Sequence, residues 1–75
     1  MKLIAEFRLI TGAGHYDWKF IAQLEVAAVP LPGEVVNVSG EPYVVVDRSW
    51  AFSELVAADN LSVAYLRVSR LQSRP

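Results

Sequence analysis

Seventy-five residues make one domain at most, because a chain this short buries only roughly 60% of its unfolded surface and cannot divide that between two cores. With no cysteine and 53% apolar residues, the fold must be held by hydrophobic packing rather than by disulfides or a thiolate metal site. Seven Lys plus Arg against eight Asp plus Glu leave a formal charge of −1, which argues against nucleic acid as the partner and for no particular charged surface.

The first nine positions alternate. Leu3, Ala5, Phe7 and Leu9 fall on one side, and Ile4, Glu6, Arg8 and Ile10 on the other, which predicts a strand over 2–10. Glu6 and Arg8 also interrupt the stretch before it could form a signal-peptide core. No apolar run exceeds four residues, against the ~18 that a membrane-spanning helix needs. A cytoplasmic protein with no membrane segment is therefore expected.

Gly12, Gly14 and Asp17 mark a loop over 11–17. Alternation resumes over 18–26, with Trp18, Phe20, Ala22, Leu24 and Val26 assigned to one face and Lys19, Ile21, Gln23 and Glu25 to the other. Pro30, Pro32 and Gly33 stop that strand, since proline lacks the ladder donor. Residues 35–39 and 43–46 flank Gly40-Glu41-Pro42 and predict a hairpin. The returning strand continues through Phe52 if one residue slips near Asp47, a bulge that places Arg48, Trp50 and Phe52 on a common face. A short helical turn near 53–58, capped by Ser53, is the rival reading of that stretch. The last strand runs over 61–71, and residues 72–75 are expected to fray. The prediction is an all-β domain over 1–71, a five-stranded antiparallel small barrel, closed because closure removes exposed sheet edges.

Chemistry-bearing clusters are sparse. His15-Tyr16-Asp17-Trp18 is the most varied tetrapeptide, but the single histidine and absent cysteine leave no metal-ligand spacing. None of the serines sits in a nucleophile elbow, and Gly12 and Gly14 lack the third glycine of a phosphate-binding loop. Neither catalytic residue, metal nor cofactor is predicted. Trp18, Tyr43, Trp50, Phe52 and Tyr65 offer aromatic area for a ligand or a core. Arg48, between Val46 and Trp50, is expected either to stack on Trp50 and pair with Asp47 or Glu54, or to anchor an acidic ligand group. Arg67, Arg70 and Arg74 stand near the C-terminus without an intervening acid and supply the alternative of a phosphate-contacting surface.

The stretch Pro32-Gly33-Glu34-x-Val36-x-Val38-x-Gly40-x-x-Tyr43-x-Val45-x-x-Arg48-x-Trp50 resembles a pattern shared by short bacterial, phage and gene-cassette reading frames. That resemblance implies an SH3-like small barrel and no catalytic residue. A plasmid-borne type of dihydrofolate reductase is similar in size and fold, with a pore shared by four subunits. Its pore segment Val-Gln-Ile-Tyr has its nearest analogue in Ser62-Val63-Ala64-Tyr65, which lacks the ligand-gripping amide. An oligomeric enzyme with a shared pore is therefore the least favoured expectation.

The expected function is a non-enzymatic interaction module that self-associates, a dimer being favoured, and binds a protein partner. His15, Tyr16, Trp18, Arg48, Trp50 and Phe52 are the expected partner-binding residues, and Ile4, Ile21, Tyr43 and Val45 the expected subunit contacts.

Overall fold

In each periodic segment, alternating apolar side chains, many of them β-branched or aromatic, gain more from a half-buried pleated surface than from a helix. A computed structural model describes residues 2–51 and 61–71, and all regular structure within them is strand. The strands are β1 (Lys2–Ile10), β2 (Trp18–Glu25), β3 (Val35–Val38), β4 (Glu41–Ala51) and β5 (Leu61–Arg70). They form one sheet in the order β2-β1-β5-β4-β3, curled into a half-barrel. No helix among the described residues is long and apolar enough to cross a membrane. The alternative of a helical turn near 53–58, and the position of Phe52, lie outside the described residues.

Two features correct the expected closed, wholly antiparallel barrel. The sheet is mixed, because β1 and β5 run parallel at its centre, and it does not close. The cause lies in the segment between β2 and β3. Pro30 and Pro32 have no N–H to give to a ladder, so this stretch makes no tight hairpin. Nine extended residues reach about 30 Å, which exceeds the roughly 19 Å spanned by four inter-strand gaps. The chain can therefore carry β3 to the far edge. Val26 N–H donates to Leu3 C=O (2.8 Å) at one end of the crossover, and Gly33 N–H donates to Val45 C=O (2.8 Å) at the other. The Leu31–Glu34 turn closes through Glu34 N–H to Leu31 C=O (3.1 Å), with Pro32 and then Gly33 at φ 93°, the requirement of a type II turn.

The β3–β4 hairpin turns through Ser39-Gly40, one step earlier than Gly40-Glu41-Pro42. Both residues have positive φ, 53° and 82°, and Val38 pairs with Glu41, as in a two-residue turn that matches strand twist. Glu41 and Pro42 belong to β4.

The core lies on one face of the sheet. Ala5 and Phe7 of β1, Val38 of β3, Tyr43 and Val45 of β4, and Ala64, Leu66 and Val68 of β5 are buried. Val26 and Val29 of the crossover pack against this face, joined by Leu9, Ile21, Ala22 and Val36. Leu66 is fully buried, and burying a side chain of its kind contributes about 1.5–3 kcal/mol.

Two bulges decide what reaches the opposite face. In β2, Phe7 pairs with Ala22 but Arg8 pairs with Phe20, so Ile21 is an extra residue. It turns to the core, and the row beyond it changes face. Trp18 and Phe20, expected in line with Ala22 and Leu24, instead share the outer face with Ile10 and Arg8. In β4, Val45 pairs with Val68 and Asp47 with Arg67, so Val46 is the extra residue. Asp47 and Ser49 then face outward while Arg48 and Trp50 share the register of Leu66 and Ala64, the slip expected near Asp47.

Candidate functional site: a cation-aromatic groove

The groove begins with the parallel pairing at the centre of the sheet. Arg8 of β1 and Arg67 of β5 are register partners, so two like charges stand side by side on the outer face, an arrangement that is unfavourable unless each is neutralised. Glu6 and Asp47 supply the counter-charges. Arg8 Nε donates to Glu6 Oε2 at 2.6 Å, and Gln23 Nε2 donates to Glu6 Oε1 at 3.1 Å. Arg67 Nε lies 2.9 Å from both Asp47 oxygens, and its Nη2 donates to Oδ2 as well. This hydrogen bonding, opposed by partial burial and aided by the guanidinium charge, lowers the Asp47 pKa from its ordinary value. The same contact raises that of Arg67. Asp47 is therefore ionised at neutral pH.

Arg8 is also held by rings. Its guanidinium carbon sits 4.0 Å from the Trp18 ring centroid and 3.9 Å from that of Tyr65, well inside cation–π range on both sides. The β2 bulge brings Trp18 to this face, and strand alternation in β5 brings Tyr65. With Glu6 on its Nε, Arg8 is a fixed wall rather than a mobile cation.

The loop over 11–17 completes the rim. Thr11 N–H donates to Asp17 C=O (2.9 Å) and Asp17 N–H to Gly14 C=O (3.0 Å), while the Asp17 carboxylate accepts from Gly14 N–H (2.9 Å). A Cβ on Gly14 would lie 2.7 Å from that carboxylate oxygen, so any larger residue would displace the Asp17 side chain. The loop carries His15 edge-on to Tyr16, centroids 5.0 Å apart, and leaves Tyr16 85% exposed.

Together these residues enclose a cavity of about 280 Å³ lined by His15, Tyr16, Trp18 and Arg48 with Arg8, Asp47, Ser49, Tyr65 and Arg67. Four of the six residues expected to bind a partner thus share one groove. Trp50 does not line it: it shares the register of Ala64 on the core face, with the Arg48 guanidinium 5.7 Å from its ring centroid, and Phe52 is outside the described residues. Asp47 pairs with Arg67 rather than with Arg48, and Glu54 lies outside the described residues.

The expected subunit contacts are placed differently. Tyr43 and Val45 are core residues, 5% and 1% exposed, and Ile21 packs on the core through the β2 bulge. Within the 43–46 stretch only Tyr43 and Val45 are buried, while Val44 is half-buried and Val46 is exposed. Ile4 is half-buried on the outer face between Val63 and Glu25. Of the C-terminal arginines, Arg67 is in the groove and Arg70 pairs with Tyr43 on the opposite face. Arg74 lies outside the described residues.

Sequence reasoning missed Arg8, Asp47 and Ser49 as groove residues, and named Arg67 only for the phosphate-contacting alternative. Arg8 carried the one available signal, a cation on the outer side of a strand. Its neighbours Trp18 and Tyr65 are set by pairing between distant strands, which no local pattern encodes. No cluster of three potential metal ligands occurs among the described residues. Comparison with protein-family models, with curated proteins and with solved structures gives no match.

Proposed function

We propose that this chain is a non-enzymatic interaction module that binds a protein partner in the groove on the outer face of the sheet. The carrying observation is the junction of aromatic area with fixed cations: the exposed Tyr16 and half-buried Trp18 at the rim, Arg8 clamped behind them and Arg67 held by Asp47. Such sites bind extended peptides because flat rings give contact area at low entropic cost and rigid donors fix orientation. Peptides selected from a random display library on the parent chain are expected to lose binding to Tyr16→Ala and Trp18→Ala, with circular dichroism unchanged. Selected peptides that bind both variants as well as the parent would place recognition elsewhere and refute the proposal.

Self-association belongs to the same reading, but its surface moves from the expected contacts to the β3 edge. Leu31, Val35 and Val46 are 51%, 53% and 45% exposed there, and among the described residues β3 has no strand on its outer side, a template for pairing with a second copy. Light scattering at low and high salt should give a dimer that Val35→Lys converts to monomer. An unchanged dimer in that variant excludes this edge. The phosphate-contacting alternative has less support, because Arg67 is engaged by Asp47 and Arg67 and Arg70 project from opposite faces. Binding dominated by phosphate would weaken steeply with salt.

A further inference from the structure

The three guanidiniums of the groove are not equivalent. Arg8 is neutralised by Glu6, whose side chain is only 13% exposed and whose second oxygen is taken by Gln23. That carboxylate is used up beneath the groove and offers nothing to a ligand. Arg67 is neutralised by Asp47, but this acid is 45% exposed at the rim. Arg48 also borders the cavity, but it shares the register of Leu66 on the core face and its guanidinium lies over the Trp50 ring. Three arginines and His15 therefore border a cavity in which, among the described residues, Asp47 is the one acid.

Size narrows the ligand further. About 280 Å³ lies below the usual range of roughly 300–1,000 Å³ for small-molecule pockets, and suits one side chain better than a nucleotide. Trp18, Tyr65 and Tyr16 are among the lining residues, and aromatic rings accommodate an aliphatic stem.

Resting on the proposed role as a protein-binding module, we infer that the groove reads a single side-chain oxyanion, the carboxylate of Asp or Glu or a phosphate ester, on a peptide partner, and that Asp47 is its internal competitor. An incoming oxyanion shares the N–H groups of Arg67 with the half-exposed Asp47. A charge-assisted, bidentate contact to guanidinium is the strong form of this interaction. Asp47 is permanently ionised at neutral pH, so it is always present as the competing anion. It keeps Arg8 and Arg67 from repelling one another when the groove is empty, and it sets a threshold that neutral side chains do not cross.

The test is a titration of the isotopically labelled full chain with three end-blocked tripeptides, Gly-Glu-Gly, Gly-phosphoserine-Gly and Gly-Gln-Gly, followed by the Trp18 indole N–H resonance. The Glu and phosphoserine peptides are expected to shift that resonance at least about tenfold more tightly than the Gln peptide, and more weakly as salt rises. Asp47→Asn should tighten both acidic peptides by about fivefold, the size of one exposed ion pair, and Arg67→Gln should loosen them by a similar factor. Comparison of the two acidic peptides separates carboxylate from phosphate as the preferred source. Equal binding of the Gln peptide overturns the oxyanion requirement while leaving the protein-binding role intact. Weaker binding in Asp47→Asn with an otherwise superimposable spectrum overturns the competitor role. No perturbation of Trp18 by any of the three overturns the inference, and the binding role then falls only if library-selected peptides also leave Trp18 unperturbed.

Discussion

The bulges in β2 and β4 use the same device on opposite kinds of side chain. In β2 the extra residue, Ile21, is apolar and turns inward, and the row beyond it is sent outward, leaving Phe20 53% exposed. In β4 the extra residue, Val46, is itself exposed, and taking it up as a bulge, rather than in regular alternation, keeps Asp47 toward Arg67 and out of the core. One bulge exposes apolar area and the other disposes of a charge, yet both deliver side chains to the same groove. The lesson is that a groove of rings and ions need not be written as a local motif. Two one-residue irregularities flanking a regular parallel pair suffice.

The largest effect should come from the core beside the β4 bulge. Val45 is 1% exposed, so Val45→Lys places an uncompensated charge among Leu66, Val68 and Phe7 and should cost about 3–5 kcal/mol. Thermal unfolding by circular dichroism is the measurement. A variant that melts like the parent and changes only its association state would restore Val45 to a subunit interface.

Deleting each extra residue separates the two bulges. Removing either one restores a regular ladder without changing which face the flanking residues occupy, so Trp18 should stay over Arg8 and Asp47 on Arg67. Loss of Ile21 removes a core contact worth about 1.5–3 kcal/mol at full burial, whereas loss of the exposed Val46 should cost under about 1 kcal/mol. Urea midpoints read the difference. Equal costs would mean that local strand twist, rather than packing, sets the price of both.

The smallest effect is electrostatic and depends on pH. The folded-state pKa of Asp47 is lowered, so its stabilising contribution is present above the unfolded value of about 3.9 and is lost as pH falls through the lower folded value. Because the side chain is 45% exposed, the pair contributes no more than about 1 kcal/mol. Stability curves of the parent and Asp47→Asn should therefore differ at neutral pH and converge in strong acid. A gap that widens on acidification would reverse the assigned direction.

Much of the architecture could be read from residue order alone. Alternation, the paired glycines of the first loop, the prolines before β3 and the positive-φ turn residues are local signals, and they located five strands to within a few residues. The one-residue slip near Asp47 was legible too, since a charged pair following Tyr43-Val44-Val45-Val46 cannot keep the same face without it. The slip at Ile21 was not, because the alternation over 18–26 looks more regular without a bulge.

What the chain determines by itself is thus the strand inventory and the chemistry of its loops, because both depend on neighbours one to four positions away. Tertiary structure alone decided the parallel partnership of β1 with β5, the half-barrel, and the meeting of Arg8, Trp18, Tyr65, Arg67 and Asp47. Those outcomes depend on where a proline-stiffened crossover lands and on which residue each strand leaves unpaired. Such choices are settled by the burial of the whole core face rather than by any single segment.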